Sequence, residues 1–239
     1  MRVGPAQLWP DVAPQWILNL PAGLEEFCYD IYKSFIYDNR YEMYVRGLGN
    51  TLLLTAMATL MGIVLGVVVA LIRASWDKNG SEMHGLAKWV LGVANVISKV
   101  YLTVIRGTPC VVQLLIIYFV ILKSCDNKVL IACIAFGVNS GAYVAEIIRG
   151  GIMSIDKGQF EAGDALGLSY WQTMRFVILP QALKNVLPAL GNEFIVLIKE
   201  TSVSGYIALQ DLTKAGDIIR SQTYDAFMPL MAVAAIYLA

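Results

Sequence analysis

An uncharged run of 22 residues, Thr51–Ile72, limits the folds that are open to this chain. A helix needs ~20 mostly apolar residues to cross the ~30 Å hydrocarbon core of a bilayer, so this run predicts a transmembrane helix. It is bounded by Arg46 and Arg73. It is also too long and too far from the N-terminus to be a signal peptide.

The composition of the whole chain agrees with a membrane protein. Apolar residues make up 57% of the 239 residues and charged residues only 15%, which excludes intrinsic disorder. The 18 basic residues are cancelled by 18 acidic ones, whereas a nucleic-acid-binding protein needs a basic excess. Four cysteines are too few for a secreted domain held together by disulfides. We therefore expect an all-α membrane protein with several spans.

Further apolar segments raise the expected number of transmembrane helices to about five: Gly107–Leu122, Val129–Ala145, Asn185–Ile198 and Phe227–Ala239. The first of these is short, so we expect its helix to begin before Arg106. The third contains Pro188 and Gly191, which predict an interrupted helix of the kind found at transport sites. The last has 13 residues, too few to cross at 1.5 Å per residue, and we expect the chain to be truncated inside its fifth span.

Lysine and arginine counts orient the predicted bundle, because these residues accumulate in cytoplasmic loops. Residues 73–88 and 149–184 carry seven of them, against four in the loops on the opposite side, although the N-terminal tail carries four more. We therefore expect the N-terminus outside the cell and residues 149–184 in the cytoplasm.

Residues 1–46 are expected to form a separate extracytoplasmic extension. Within it, Leu24, Phe27, Ile31 and Phe35 share one helical face. This pattern predicts an amphipathic helix on the outer surface of the membrane. The alternative is an ordinary extension that packs on the bundle.

The segment at 158–169 (GQFEAGDALGLS) carries the strongest indication of function. We expect a short helix that starts at Gln159, has Glu161 in its first turn, where the helix dipole favours an acid, and ends at Gly167. Its apolar face is predicted to consist of Ala162, Ala165 and Leu166. Tyr170 is then predicted to begin an interfacial helix that ends at Pro180.

This segment resembles the EAA loop of ATP-binding-cassette (ABC) importer permeases, whose pattern is Glu-Ala-Ala, three residues, Gly, nine residues, Ile, one residue and Leu-Pro. Five residues match it at full spacing: Glu161, Ala162, Gly167, Leu179 and Pro180. Gly163 replaces the second Ala and should weaken the short helix by roughly 1 kcal/mol, while Val177 replaces the Ile. The resemblance implies that a set of loop residues couples this chain to an ATPase: Gln159, Glu161, Ala162, Gly163 and Gly167.

Two more segments are similar to signatures of the polar amino-acid permeases. Arg106–Pro109 followed by Gln113 resembles the Arg-Gly-Thr-Pro-x-x-x-Gln signature. Asn192–Phe194 and Lys199–Ser202 resemble the Asn-Glu-Phe and Lys-Asp-Thr-Ser stretches, with Glu in place of Asp. The resemblance implies an ABC transmembrane type-1 domain at 47–239, with the coupling loop at about 158–180 and the five-span fold of a type I importer subunit.

What the resemblance implies is a transport subunit and not an enzyme. The chain would carry a polar amino acid of the histidine, glutamate, glutamine, arginine or opine class across the bacterial inner membrane. Its partners, besides membrane lipid, would be a cassette ATPase dimer, a second permease copy or paralogue, and an extracytoplasmic solute-binding protein. No cofactor is expected on this chain, which lacks the Gly-x-x-x-x-Gly-Lys-Ser/Thr phosphate loop, so ATP would be bound by the partner.

Other functions stay open at this point. The chain could be a permease for a different polar solute, or a channel or secondary transporter that works without ATP. An intramembrane enzyme would need paired catalytic groups at membrane depth, and none is apparent in the sequence.

Ionisable residues within spans usually face a cavity or a partner. Glu193 and Glu200 are seven residues apart and therefore share a helical face. Together with Asn192 and Gln113 they are candidates for the substrate path, where a carboxylate would meet the ammonium group of an amino acid. The alternative is a structural contact between Lys199 and an acid.

The remaining polar residues favour structural roles. Arg106 could assist the passage of a carboxylate, but we favour an anchor for a helix start at the cytoplasmic interface. Asn139 and Ser140 are expected to donate hydrogen bonds between helices, and the same role is the favoured alternative for Gln113. His84 is the only histidine, and no cluster at ligand spacing accompanies it, so no metal site is expected.

Small residues at helical spacing predict close packing between helices. They occur in the pairs Gly62/Gly66 and Gly137/Gly141. Because lipid gives helices no hydrophobic drive to associate, such residues let two backbones approach. We interpret these pairs as contacts within one subunit.

Overall fold

The computed structural model describes residues 13–79 and 83–239. Every regular element in these two ranges is helical, which confirms the all-α prediction. The described residues fall into two compact units, one from Met1–Leu53 and Ser202–Ala239 and one from Leu54–Thr201. Residues 1–12 of the predicted N-terminal extension, and loop residues 80–82, lie outside the described ranges.

The helices are, in chain order, α1 (Gln15–Leu18), α2 (Ala22–Ile31), α3 (Tyr41–Asn79), α4 (Gly85–Gly107), α5 (Cys110–Ile116), α6 (Lys128–Met153), α7 (Lys157–Ala165), α8 (Tyr170–Thr173), α9 (Leu179–Glu200), α10 (Leu212–Thr223) and α11 (Phe227–Leu238). Wider π turns extend three of these helices, at Tyr32–Ile36, Ile117–Ile121 and Met174–Ile178. Short 3-10 turns occupy Tyr37–Asn39 and Thr201–Ile207.

Three helices in the described ranges are long and apolar enough to cross a membrane: Tyr41–Asp77, Gly85–Gly107 and Lys128–Met153. The first and third contain the runs predicted at 51–72 and 129–145. Two shorter apolar helices, Cys110–Ile121 and Phe227–Leu238, coincide with two further predicted runs. The total of about five spans stays a prediction.

One expected helix boundary is wrong. The helix through 110–121 does not begin before Arg106, because α4 ends at Gly107 and Thr108 is extended, with φ −123° and ψ 147°. Thr108 precedes Pro109, whose ring disfavours the helical conformation of the residue before it. The same break makes residues 85–107 a separate helix. The uncharged runs of the sequence did not predict this helix, because Lys88, Lys99 and Arg106 divide it.

The predicted interruption of the fourth span is also wrong. Helix α9 continues through Pro188 and Gly191. Proline removes one backbone hydrogen bond, but its fixed φ is compatible with a helix, and neighbouring helices can compensate for the loss. Nor does an interfacial helix end at Pro180, which lies in the first turn of α9, directly after the π turn that joins α8 to it.

Helix α2 of the first unit contains part of the apolar face predicted for the N-terminal region, Leu24, Phe27 and Ile31. Leu24 and Phe27 of α2 are 55% and 52% exposed, whereas Tyr29 is buried against Ile17. The helix therefore turns one face to the protein and leaves apolar side chains uncovered on another. Its place on the membrane surface stays a prediction.

Asp211 begins helix α10 in the same unit. Its carboxylate accepts a hydrogen bond of 2.8 Å from the backbone N–H of Lys214, the usual N-cap contact. Burial raises the pKa of Asp211 to about 6, although backbone N–H groups oppose this shift. The core behind this cap consists of Tyr44, Leu212, Ile219 and Val233.

Close packing of α3 against α6 organises the second unit. A Cβ on Gly66 would lie 2.6 Å from Cγ1 of Val144, and one on Gly62 would lie 3.0 Å from Ser140. Gly141 faces Leu65 in the same way. The interpretation of these small residues as contacts within the subunit is confirmed.

Replacing Gly66 with Val should therefore destabilise the second unit by about 1–3 kcal/mol through overpacking. We expect a lower melting temperature of the purified protein, and partial recovery when Val144→Ala is added to make room. Gly49→Val is the control, since a Cβ there meets nothing within 4 Å. Equal losses in the Gly66 and Gly49 variants would contradict the packing argument.

Candidate functional site

Helix α7 forms the short helix expected at the coupling loop. It begins at Lys157, two residues before the predicted start, because the Asp156 carboxylate accepts a 2.6 Å hydrogen bond from the N–H of Gly158. Its last residue is Ala165, and Gly167 stops it as predicted, with a φ of +74° in the left-handed conformation that glycine adopts freely. The N–H of Gly167 donates to Asp164 and that of Leu168 to Gly163, which together close a Schellman motif.

The exposed side of α7 includes the residues that match the loop pattern. Gln159, Glu161 and Ala162 are exposed, and Leu166 is 79% exposed. The predicted apolar face of Ala162, Ala165 and Leu166 is therefore not a buried face. The helix instead packs through Gly163 and the partly buried ring of Phe160, which adjoins Met174 and Ile178.

The structure explains why Gly163 stands where the pattern has Ala. A Cβ at this position would lie 2.5 Å from Oγ1 and 2.6 Å from Cγ2 of Thr173. Thr173 is 1% exposed, and within residues 13–79 and 83–239 its hydroxyl has no hydrogen-bond partner. Glycine at position 163 lowers the helix propensity of α7, but it allows the close approach between α7 and α8.

Two side-chain contacts connect the coupling region to the start of α9. Nε2 of Gln181 donates to Oε1 of Gln159 at 3.3 Å, and Nδ2 of Asn185 donates to Oγ of Ser154 at 2.9 Å. A cavity of about 430 Å³ lies between these residues and is open to one side. The first two turns of α9 are thus hydrogen-bonded to α7 through Gln159 and to the residue that follows α6, Ser154.

The two acidic candidates on α9 both face α6, which confirms that they share a helical face. Oγ of Ser140 donates to Glu193 at 3.0 Å, and Nδ2 of Asn139 donates to Glu200 at 3.1 Å. Glu193 is only 8% exposed. The expectation that Asn139 and Ser140 donate hydrogen bonds between helices is thereby confirmed.

The alternative Glu–Lys contact does not form. Lys199 is exposed and takes part in none of the ion pairs formed by the described residues. Asn192, the residue that follows Gly191 in the same helix, is exposed as well. The buried Glu193 and the partly buried Glu200 thus have neutral donors as their hydrogen-bond partners. Their negative charge is therefore uncompensated if they are ionised.

Gln113 holds the break between α4 and α5. Its Nε2 donates to the carbonyl of Ile105 at 2.8 Å and to the Thr108 hydroxyl at 2.9 Å. It is 7% exposed, and its carbonyl oxygen is buried without a partner among the described residues. This amide compensates for backbone groups released at Pro109, while a role on the substrate path stays a prediction.

Arg106 lies in the last turn of α4, so the expectation that it anchors a helix start is wrong. Its guanidinium is 4.0 Å from Glu146, which also binds Arg149 at 3.0 Å. The Tyr143 ring lies 5.8 Å away in cation–π geometry. The extended Thr108 decides this placement, because it ends the helix directly after Arg106.

Three residues of these sites were missed from the sequence. Asp156 could have been found, because an Asp before an amphipathic segment is an N-cap signal. Thr173 and Glu146 carried no such signal, since their importance depends on which helix packs against them.

Comparison with known proteins gives one family. The family of binding-protein-dependent transport system inner membrane components matches residues 86–239. A glutamine transport system permease protein of Escherichia coli K12 is 41% identical over 191 residues, which cover 77% of this chain and 82% of the relative. A protein of Rickettsia bellii with the corresponding name is 38% identical over 196 residues, 81% of this chain and 84% of that protein.

Solved structures show the same fold. The crystal structure of an amino acid ABC transporter with histidines matches with a TM-score of 0.72 and 41% identity, covering 83% of this chain and 87% of that one. The MetNI methionine ABC transporter, in an inward-facing conformation, matches with a TM-score of 0.67 over 85% of this chain and 93% of that one. Its identity is only 20%, so it supports the fold alone.

The contact of Gly163 with Thr173 gives a test of the coupling region. Gly163→Ala gains helix propensity but should cost about 1–3 kcal/mol through overpacking. Adding Thr173→Ala removes the obstruction and an unpartnered hydroxyl, so the double variant should melt at or above the wild-type temperature. A Gly163→Ala variant that is as stable as wild type without the second change would contradict the explanation.

Proposed function

Because the chain belongs to the family of binding-protein-dependent transport system inner membrane components, we propose that it is the permease subunit of an ABC importer for a polar amino acid. The observation that carries this proposal is the identity of 41% to a glutamine transport permease over most of both chains. Glutamine is therefore the first substrate to test. The importer's ATP hydrolysis would take place on a separate subunit.

Helix α7 is proposed as the element on which the cassette ATPase docks. Its Gln159, Glu161 and Ala162 are exposed, and its position is fixed by the Asp156 cap and by Gly167. The hydrogen bond from Gln181 to Gln159 connects it to α9, and that from Asn185 connects α9 to Ser154, which directly follows α6. Movement of the ATPase would thus displace α7 and tilt α9 as a continuous helix.

Glu193 and Glu200 are proposed to lie beside the substrate path. A carboxylate in hydrocarbon without a counterion costs at least ~2.5 kcal/mol, and neutral hydrogen-bond donors relieve only part of this cost. The α-ammonium group of an amino acid would supply the missing positive charge whatever its side chain. When the substrate leaves, Ser140 and Asn139 still solvate the two acids.

The rest of the assembly follows from the same proposal. Two ATPases and a second permease, either an identical copy or a paralogue, would complete the importer. A solute-binding protein would deliver the amino acid outside the bacterial inner membrane. In this arrangement the N-terminus lies outside, and α7 lies in the cytoplasm.

Uptake by proteoliposomes tests the proposal. The vesicles would contain this chain with its ATPase and its binding protein, and radiolabelled glutamine, glutamate, histidine and arginine would be compared. We expect uptake of at least one of them only when ATP is present on the side of the ATPase. Uptake that is independent of ATP would favour a channel or secondary transporter, and uptake of none of them would favour another polar solute.

Gly167 provides a specific test of coupling. Valine in the left-handed conformation costs about 1–2 kcal/mol or more, whereas asparagine tolerates it better. Because a Cβ at Gly167 meets nothing within 4 Å, any effect comes from the backbone and not from a clash. Gly167→Val should lower the ATP-dependent uptake per assembled complex, and Gly167→Asn should retain most of it. Full uptake by the valine variant would contradict the docking role of α7.

Glu193→Gln tests the substrate path. The variant keeps an oxygen that can accept the Ser140 hydrogen bond but removes the charge, so uptake should fall about tenfold or more while the protein stays folded. Glu42→Gln is the matched control, because Glu42 is a surface residue paired with Arg46. Normal uptake by Glu193→Gln, or loss of folded protein together with uptake, would assign Glu193 a structural role.

A further inference from the structure

A second polar cavity lies between helices α3, α4 and α6. It has a volume of about 650 Å³ and is lined by Arg73, Lys99, Arg106, Tyr143 and Glu146, among others. Glu146 belongs to the last two turns of α6, the helix that leads into α7. The cavity therefore lies near the end of α6 that leads into α7, the proposed coupling helix.

Positive charge dominates this cavity. Arg73, Lys99 and Arg106 provide three cations, against the single carboxylate of Glu146. That carboxylate is already engaged by Arg149 at 3.0 Å and by Arg106 at 4.0 Å. The acid within the cavity therefore neutralises none of the charge on the other two cations.

Arg73 and Lys99 have no ionic partner among the described residues. Nε of Arg73 is moreover buried without a hydrogen-bond acceptor in the part of the chain that the structure describes. Asp77, one helical turn further along α3, is exposed and does not form an ion pair with Arg73. A buried guanidinium N–H without an acceptor is costly, so the cavity is suited to an anion that accepts hydrogen bonds.

Exposed apolar side chains lie on α3 and α4, the helices that carry the three cations of the cavity. Along α4, Val96, Ile97, Val100 and Val104 are each 52–63% exposed, and Leu71 of α3 is 52% exposed. An anion that is itself attached to hydrocarbon chains would fill both parts of this surface. A small soluble anion would occupy only the charged part.

We propose that this cavity binds the headgroup phosphate of an anionic glycerophospholipid, of the phosphatidylglycerol or cardiolipin class, with its acyl chains along α4. Arg73 and Lys99 would hold the phosphate oxygens, and Arg106 would be shared between the phosphate and Glu146. Basic pockets between helices at the cytoplasmic side of a membrane are suited to such headgroups. The proposal rests on the proposed function in one respect: the importer's topology would put this cavity at the cytoplasmic side of the membrane.

The test measures lipid retention, which is independent of transport. The full-length permease would be purified with its partners in a nonionic detergent, and bound phosphatidylglycerol and phosphatidylcholine would be counted by native mass spectrometry during titration with each lipid. We expect wild type to bind phosphatidylglycerol in preference to phosphatidylcholine. Equal binding of the two lipids would overturn the proposal.

The double variant Arg73→Gln/Lys99→Gln should bind phosphatidylglycerol about 30-fold more weakly, the factor expected for the loss of two basic contacts. The control Lys123→Gln/Lys128→Gln removes the same charge at the opposite end of α6 and should bind as wild type does. An equal loss in both double variants would overturn the proposal, because net charge and not the cavity would then decide retention.

Glu146→Gln changes the charge of the cavity in the other direction and should strengthen phosphatidylglycerol binding. If the double variant does not fold, Lys99→Gln alone, at an exposed position, should still weaken binding, and an unchanged affinity would overturn the assignment.

Competition separates the lipid from other anions. Neither inorganic phosphate nor free glutamine should displace phosphatidylglycerol from wild type. Displacement by phosphate would make this a site for a soluble anion, and displacement by glutamine would place the substrate's carboxylate in the cavity. Either result overturns the lipid assignment and leaves the importer function, which is measured by uptake, as it stands.

Discussion

The contact of α3 with α6 through residues that lack large side chains is the interaction on which the second unit depends. Gly62 and Gly66 let α6 approach so closely that added methyl groups would overlap Ser140 and Val144. In lipid there is no hydrophobic drive between helices, so this van der Waals contact has to hold them together. Of the three long apolar helices, α6 is the most buried inside the protein, and α4 is the least buried.

Polar side chains of α6 contact α9, and one of them, Ser140, also packs against Gly62 of α3. Ser140 and Asn139 bind Glu193 and Glu200 there, while the other end of α9 is hydrogen-bonded to the coupling region through Gln181 and Asn185. Because α9 is one continuous helix from Leu179 to Glu200, it connects the two regions mechanically. The continuity through Pro188 therefore matters more for the proposed mechanism than the interruption expected from the sequence.

The charges of the second unit are kept apart. The two carboxylates on α9 have neutral donors, and three cations gather with Tyr143 at the end of α6 that leads to α7. In a medium of low dielectric constant, each group of charges favours a ligand of the opposite sign. The first suits an ammonium group, and the second suits the phosphate of a lipid.

The sequence by itself determined the helical membrane class, the span at 51–72, the short helix that stops at Gly167 and the shared face of Glu193 and Glu200. These depend on local apolar length, on backbone conformation and on helical period, which a sequence carries directly. Only the tertiary structure decided that Thr173 excludes a methyl group at residue 163, that Ser140 and Asn139 are the partners of the two acids, and that Arg73 and Lys99 share a cavity. Those facts depend on which helices meet, and residues far apart in the chain leave no periodic signal of their meeting.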